Sequence, residues 1–518
     1  MHENRETSAV PDVTAGRSGK AHGRTPDMHA VEESDSGVVP MNQPNKSGKP
    51  LAEAGEGRPE IKENIAQSST RPTQSGGSVS QGLSGVRQRA KEKRQEKFTA
   101  LLHHLSVDVL RESYFALQRK AAPGVDGETW QQYGAGLEGR LIDLHSRVHR
   151  GAYQAKPSRR VYIPKADGRQ RPLGIAALED KIVQQAVVTI LNQIYEVDFK
   201  GFSYGFRPGR SPHQALDALY VGLVRSKVNW VLDADIRGFF DHMNHEWTMQ
   251  FVQHRVADKR ILRLIQKWMK AGVMEEGRRE ETEIGTPQGA VISPLLANVY
   301  LHHVFDLWVE AWRKKVARGQ VVVVRYADDL VVGFQSRTEA ERFLKEFQER
   351  LAKFGLELHP EKTRLLEFGR FAAVDRRKRG EKKPETFTFL GFTHQCGTSP
   401  RGLFMVWRQT ANKRMVAKLK QIKQTLRRRM HEPLNQIGAW LRSVSQGFYQ
   451  YHAVPGNLRA MNAFRHRLRR MWRSTLRHRS QRPNVSWERI APLFDRWLPA
   501  PRVLHPYPDA RFDATHPR

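Results

Sequence analysis

The chain has 518 residues, 39% hydrophobic and 27% charged, with 86 Lys and Arg against 54 Asp and Glu, a net charge of +32. That length predicts two to four domains, and that cationic excess calls for a polyanionic partner, nucleic acid or an anionic surface. A single cysteine, Cys396, excludes an intramolecular disulfide and any zinc site built on cysteine pairs.

No apolar run approaches the ~18 residues of a membrane span. The first residues, MHENRETSAVPD, lack the basic-then-apolar order of a secretion signal. A soluble, intracellular protein is expected. Residues 1–90 hold 11 basic and 11 acidic side chains among Ser, Gly, Pro, Gln and Thr, with no lasting apolar period. Such a segment buries too little to offset its ordering entropy and is expected to be disordered.

Order is expected to begin near Arg87, with helical patterns in KEKRQEKFTALLHHLS and VDVLRESYFALQRK. After the Gly-rich turn AAPGVDGETW, RRVYIPK and QRPLGI flank an Asp-Gly turn and read as two short strands. LEDKIVQQAVVTILNQIYE has apolar residues three and four apart and predicts a helix. NWVLDADIRGFF reads as a buried strand ending in a turn, and VVVVRYADDLVVGF as two strands about a tight hairpin. AERFLKEFQERLAKFGLEL predicts another helix, and 412–481 is almost wholly helical and basic. This mixture predicts an α+β fold rather than a regular βα repeat. The charge is uneven: 91–400 carries a net +12 and 401–518 a net +20, so the last quarter is expected to grip phosphates.

Asp328 and Asp329 interrupt two apolar β-type runs, against both strand propensity and burial cost. At a hairpin tip they can face a cleft, and a cation would relieve their repulsion. Asp233 and Asp235 again place acids at the end of an apolar strand. Two adjacent strands ending in Asp can bring three carboxylates onto two hard cations, for which all-oxygen ligands suit Mg²⁺. Two such ions clamp the attacking and leaving oxygens of in-line phosphoryl transfer, the chemistry of polymerases and nucleases.

These segments resemble palm motifs A and C of reverse transcriptases, YADD being a typical form of the second. Between them, Gly285–Asn298 (GTPQGAVISPLLAN) resembles motif B of the group II intron enzymes. FSYGFRPGRS at 202–211, LHPEKT at 358–363 and FLGF at 389–392 resemble further blocks, so the likeness runs from about Pro123 to Pro483. It implies a right-hand polymerase: fingers at 91–220, palm at 221–400, a helical thumb and maturase domain (domain X) at 401–482 and a short basic tail at 483–518.

By resemblance, Asp235, Asp328 and Asp329 hold two Mg²⁺ ions, with the Ile236 carbonyl as a backbone ligand. Asp233 and Asp241 are read as structural. Phe240 stands where reverse transcriptases keep an aromatic steric gate: a ring against the sugar C2′ leaves no room for a hydroxyl, so dNTPs are favoured. Lys165 and Arg171, with Arg159 as a third position, fall in the strands that cover the triphosphate, where cations neutralise developing charge. Gln288 is expected to contact the nucleotide. Arg325 and Lys362 have no firm role, and Lys362 equally suits a strand-edge charge.

In 408–482, Arg and Lys interleave with aromatics, a pattern for backbone tracking and base stacking; Arg427, Arg428 and Arg429 are the named RNA-binding positions. The resemblance implies intron RNA as template and ribozyme, a DNA primer or target, dNTP substrates, and a bacterial cytoplasmic, nucleoid-associated setting. The residues after Pro483, including His505 and His516, read as too short for the HNH nuclease many such proteins carry. One alternative is an RNA-binding splicing maturase without significant polymerase activity, against which three intact acids argue. Another is a viral RNA-dependent RNA polymerase, which Phe240 disfavours because such enzymes usually keep an acidic residue there.

Overall fold

A computed structural model describes residues 74–164, 170–275, 278–280, 285, 289–479 and 486–515. Its strands are β1 (Ser158–Pro164), β2 (Gln170–Ile175), β3 (Trp230–Asp235), β4 (Val273–Glu275), β5 (Arg278–Glu280), β6 (Val321–Tyr326), β7 (Asp329–Phe334), β8 (Arg364–Glu367), β9 (Phe387–Phe389), β10 (Phe392–Thr398) and β11 (Phe404–Thr410). They form three sheets, ordered β2-β1-β4-β5, β6-β7-β3-β8 and β11-β10-β9. Helices and strands mix as the α+β expectation requires.

The β6-β7-β3-β8 sheet is antiparallel throughout and separates two cores. Leu232, Ala234, Leu330 and Val332 face one core, while Val231, Val324, Val331 and Leu366 face the other. Alternate residues thus bury on opposite sides, which is why these strands read as continuous apolar runs. The helix Leu178–Asp198 belongs to the first core and buries Ile182, Val183, Ala186, Val187, Ile190, Leu191 and Ile194, a stripe at the spacing seen in the sequence. Each Ile, Leu or Val of this stripe contributes roughly 1.5–3 kcal/mol. An aspartate at Val187 would bury an unpaired charge there and break the packing. The helix Pro212–Arg225 covers the other face so closely that a Cβ on Gly222 would meet Val322 at 2.5 Å.

The N-terminal expectation needs correcting. A helix spans Gln74–Glu92, overlapping the end of the segment read as disordered through residue 90, and Val86 and Ala90 are buried in the first core. Its Gly- and Ser-rich start has poor helix propensity, so tertiary packing carries it. Arg255 caps its exit, donating to the carbonyls of Lys93 at 3.1 Å and Glu96 at 3.0 Å while pairing with Asp198 at 2.9 Å. KEKRQEKFTALLHHLS is mostly not helical, because Asp258 accepts from the amides of Leu101 and Leu102 at 2.8 and 2.9 Å and sets an irregular turn.

The expected domain boundaries also shift. A cut at 220/221 falls inside the helix Pro212–Arg225, and a cut at 400/401 splits the β10–β11 hairpin. The helices Asn412–Arg428, Leu434–His452 and Leu458–Arg479 share a third core that continues past residue 482. Ile490, Phe494 and Leu498 belong to it, with the Trp497 ring against Gly438. The later residues fold back: the Leu504 amide donates to Ala453 at 2.9 Å, and Arg225 pairs with Asp509 and Asp513. No described helix is long and apolar enough to cross a membrane.

Candidate active site

The acids predicted from the sequence meet at one end of the central sheet. In the β3–β7 register Asp235 lies directly opposite Asp329, so the two side chains share a face. Opposed residues have Cβ atoms roughly 4.5–5.5 Å apart. Both acids are buried, and Asp328 is half-buried beside them in the β6–β7 turn. Tyr326 pairs with Asp329, leaving Ala327 and Asp328 as a two-residue loop. Ala327 has φ +55°, a left-handed conformation that costs a non-glycine residue roughly 1–2 kcal/mol.

The SYGF segment sits beneath that turn. A Cβ on Gly205 would stand 2.2 Å from the Ala327 nitrogen, so glycine is required there for space. Ile236 follows β3 and bridges to Leu358, and the His359 amide donates to the Asp235 carbonyl at 2.8 Å. This bridge brings LHPEKT to the site, where the Lys362 ammonium lies 3.4 Å from Asp235 Oδ2. Asp233, two residues before Asp235 on the same face, is 3.6 Å from Arg364. Burial pushes its carboxyl up to about 7, with Arg364 pulling the other way. Asp241 is exposed on the surface.

Paired carboxylates on one face, with a backbone carbonyl close by, are a donor set that fits a hard divalent cation. Among the described residues no three His, Cys, Asp or Glu side chains converge tightly enough to hold an ion alone.

Phe239 and Phe240 differ in burial. Phe239 is buried in the first core, whereas Phe240 is half-buried, edge-on to Phe206 at 6.5 Å and to Phe239 at 5.4 Å. Of the expected triphosphate contacts, Lys165 and Gln288 lie outside the described residues. Arg171 is in β2 opposite Ile163, in the sheet that starts at Arg159 and Ser158. Arg159 is turned away: its guanidinium donates to the Pro123 carbonyl at 3.1 and 2.8 Å.

In the helical domain, Arg427 and Arg428 are exposed at the end of their helix. Arg429 is not equivalent to them. It pairs with Glu432 at 2.6 Å and lies over the Trp440 ring at 5.2 Å. A contact missed in the sequence joins this domain to the palm: the Tyr451 hydroxyl donates to the Leu390 carbonyl at 2.8 Å. Leu390 and Gly391 both have positive φ and form the two-residue β9–β10 turn. The sequence singles out FLGF only as a family block, and nothing in it marks the partner.

Residues 163–394 match the family model described as reverse transcriptase (RNA-dependent DNA polymerase). Protein YkfC of Escherichia coli is 38% identical over a match covering 42% of this chain and 66% of that protein. The group II intron-encoded protein LtrA of Lactococcus lactis is 34% identical, over 42% of this chain and 37% of its own length. Nuclear intron maturase 1 of Arabidopsis thaliana is 30% identical over 18% of this chain and 13% of its own. The chain thus matches only part of each relative. With the carboxylates of motifs A and C on one sheet face and motif B between them in sequence, residues 163–394 of this chain form a reverse transcriptase domain, similar to that of a group II intron-encoded protein.

Proposed function

We propose that this chain is an RNA-directed DNA polymerase that also binds an intron RNA and assists its splicing and mobility. The observation that carries the polymerase reading is the register: Asp235 opposite Asp329, with Asp328 adjoining in a strained turn. Asp235, Asp328, Asp329 and the Ile236 carbonyl would hold two Mg²⁺ ions, which supply activation of the primer hydroxyl and neutralise phosphate charge. Phe240 would close the space beside the sugar C2′ and favour dNTPs. Lys165, Arg171 and Gln288 would bind the triphosphate and orient it. The basic thumb would track template and intron RNA through its phosphates. A maturase without polymerase activity is the weaker alternative, because such a protein has no need of a paired, buried acid face.

Asp328→Asn tests the reading. Primer extension on an oligo(dT)-primed poly(rA) template should fall by more than tenfold, since one metal charge is lost. Retention of RNA in a filter assay should be unchanged, since affinity rests on the distant thumb. A variant that keeps more than a tenth of the wild-type rate would overturn the metal assignment.

A further inference from the structure

The catalytic turn is held from behind by a buried polar cluster. Arg325, the residue before Tyr326, is fully buried, and so is Asp306. The guanidinium donates from Nε to Asp306 Oδ1 at 2.7 Å and from Nη2 to Oδ2 at 2.6 Å. Its Nη1 donates to Asn298 Oδ1 and to the Ala327 carbonyl, both at 3.0 Å. Asn298 in turn donates from Nδ2 to the Gly205 carbonyl at 2.8 Å. The backbone of Arg325 closes the unit, donating to the Phe202 carbonyl and accepting from the Tyr204 amide, each at 2.9 Å.

Three segments distant in sequence are thereby locked together under the metal-binding acids. The Ala327 carbonyl belongs to the peptide that leads into Asp328, so its bond to Arg325 fixes the orientation of that peptide plane. This link matters because Ala327 sits in a left-handed conformation that an alanine does not hold by preference.

The helix supplying Asn298 and Asp306 is shaped for the task. It runs from Ser293 to Lys315 but contains a wide π-turn at His302–Asp306. In a regular α-helix, residues eight apart are rotated by about 80°. A π-turn absorbs one extra residue and reduces that offset to about 20°, which puts Asn298 and Asp306 on the same side of the helix. Wide turns of this kind are frequent at functional sites. Stability alone is a poor reason for the cluster, since well-packed apolar residues often serve a core as well as a buried ion pair.

We infer that Asp306 and Asn298 are positioning residues for polymerisation, acting through Arg325 to hold the Ala327–Asp328 peptide in its working orientation. This rests on the polymerase reading and goes beyond it, because neither residue reaches the substrate. Asp306→Asn keeps the shape and removes the charge. Asn298→Ser removes hydrogen bonds without uncovering a buried ion, so it keeps the proposal testable where Asp306→Asn does not fold. The control is Asp217→Asn, which breaks another deeply buried ion pair, to Arg408 at 2.9 Å.

All variants are assayed well below their melting midpoints, on oligo(dT)-primed poly(rA) with dTTP. For Asp306→Asn and Asn298→Ser, kcat should fall at least thirty-fold, about 2 kcal/mol at the transition state. The KM for dTTP should stay within threefold, and the Mg²⁺ concentration for half-maximal rate should rise. Asp217→Asn should lower Tm while kcat holds. If Asp306→Asn and Asn298→Ser lose only Tm, the cluster is structural and the inference fails while the polymerase reading stands. A wild-type chain that extends no primer overturns the reading itself, and the inference with it.

Discussion

Replacing Gly205 by alanine is the sharpest probe of the active-site packing. The added Cβ would lie 2.2 Å from the nitrogen of Ala327, 2.9 Å from the carbonyl carbon of Tyr326 and 3.0 Å from the Ala327 Cα. All three are backbone atoms of the YADD turn, so no flexible side chain can swing away. An ordinary contact needs separations beyond about 3.4 Å, and the two segments must therefore part by about 1 Å. Overpacking of this kind costs roughly 1–3 kcal/mol in stability. A displacement of about 1 Å at reacting groups costs about 10²-fold in rate. Gly205→Ala should lower kcat in primer extension about a hundredfold while lowering Tm by only a few degrees. The KM for dNTP should change little, because the fingers strands belong to a different sheet. Gly201→Ala is the control: it lies on the same loop, and a Cβ there meets nothing within 4 Å. The reasoning is refuted if Gly205→Ala retains more than a third of the wild-type kcat.

Phe240→Ala should raise ribonucleotide incorporation at least tenfold, measured as the ratio of kcat/KM for UTP and dTTP; an unchanged ratio would mean the ring is not the gate. Replacing Arg427 and Arg428 by alanine should reduce the slope of log affinity against log salt by about 1.4–1.8 units, at 0.7–0.9 per phosphate contact. Arg429→Ala should change that slope by less than half a unit, since Glu432 already neutralises it; equal effects from all three would refute the distinction. Burial alone would raise the Asp258 carboxyl, but the Arg260 guanidinium and the amides of Leu101, Leu102 and Arg260 outweigh it and bring it down to about 2. A carboxyl depressed from its ordinary 3.8 stabilises the fold above about pH 4, and that contribution disappears as pH falls through 2. Asp258→Asn should therefore cost about 1–2 kcal/mol in urea unfolding at pH 7, with the gap to wild type narrowing between pH 4 and 2. A gap of constant size across that window would show that the charge is not what matters.

The parts of this protein that were legible in its sequence are those where local pattern and tertiary role agree. The strands around Asp235 and Asp328 are apolar because both sheet faces are buried, and their acids stand out because burial penalises them. The helix Leu178–Asp198 was legible for the same reason: its stripe is long enough to override any ambiguity of period. Where a single distant partner decides the outcome, the sequence is silent. Nothing in SGGSVSQG announces a helix, because the helix exists through Val86 and Ala90 against the first core and through Arg255 at its exit. Nothing in KFTALLHHL announces the loss of one, because the agent is Asp258, more than a hundred residues on.

The candidate site divides along the same line. Residues proposed to touch substrate belong to short motifs, so Asp235, Asp328, Asp329 and Phe240 could be named from spacing and resemblance. Residues that act through others leave no such mark. Asn298 was seen only as part of a motif, Arg325 had no firm role, and Asp306 was not noticed, yet the three form one hydrogen-bonded unit. Their relation depends on a π-turn that changes the helical offset between positions 298 and 306. A π-turn has no composition of its own; it arises where buried partners reward the extra residue more than the lost α-helical geometry costs. The supporting shell of this active site is therefore a property of three-dimensional pairing, and a search for catalytic motifs passes over it even when every motif residue is identified.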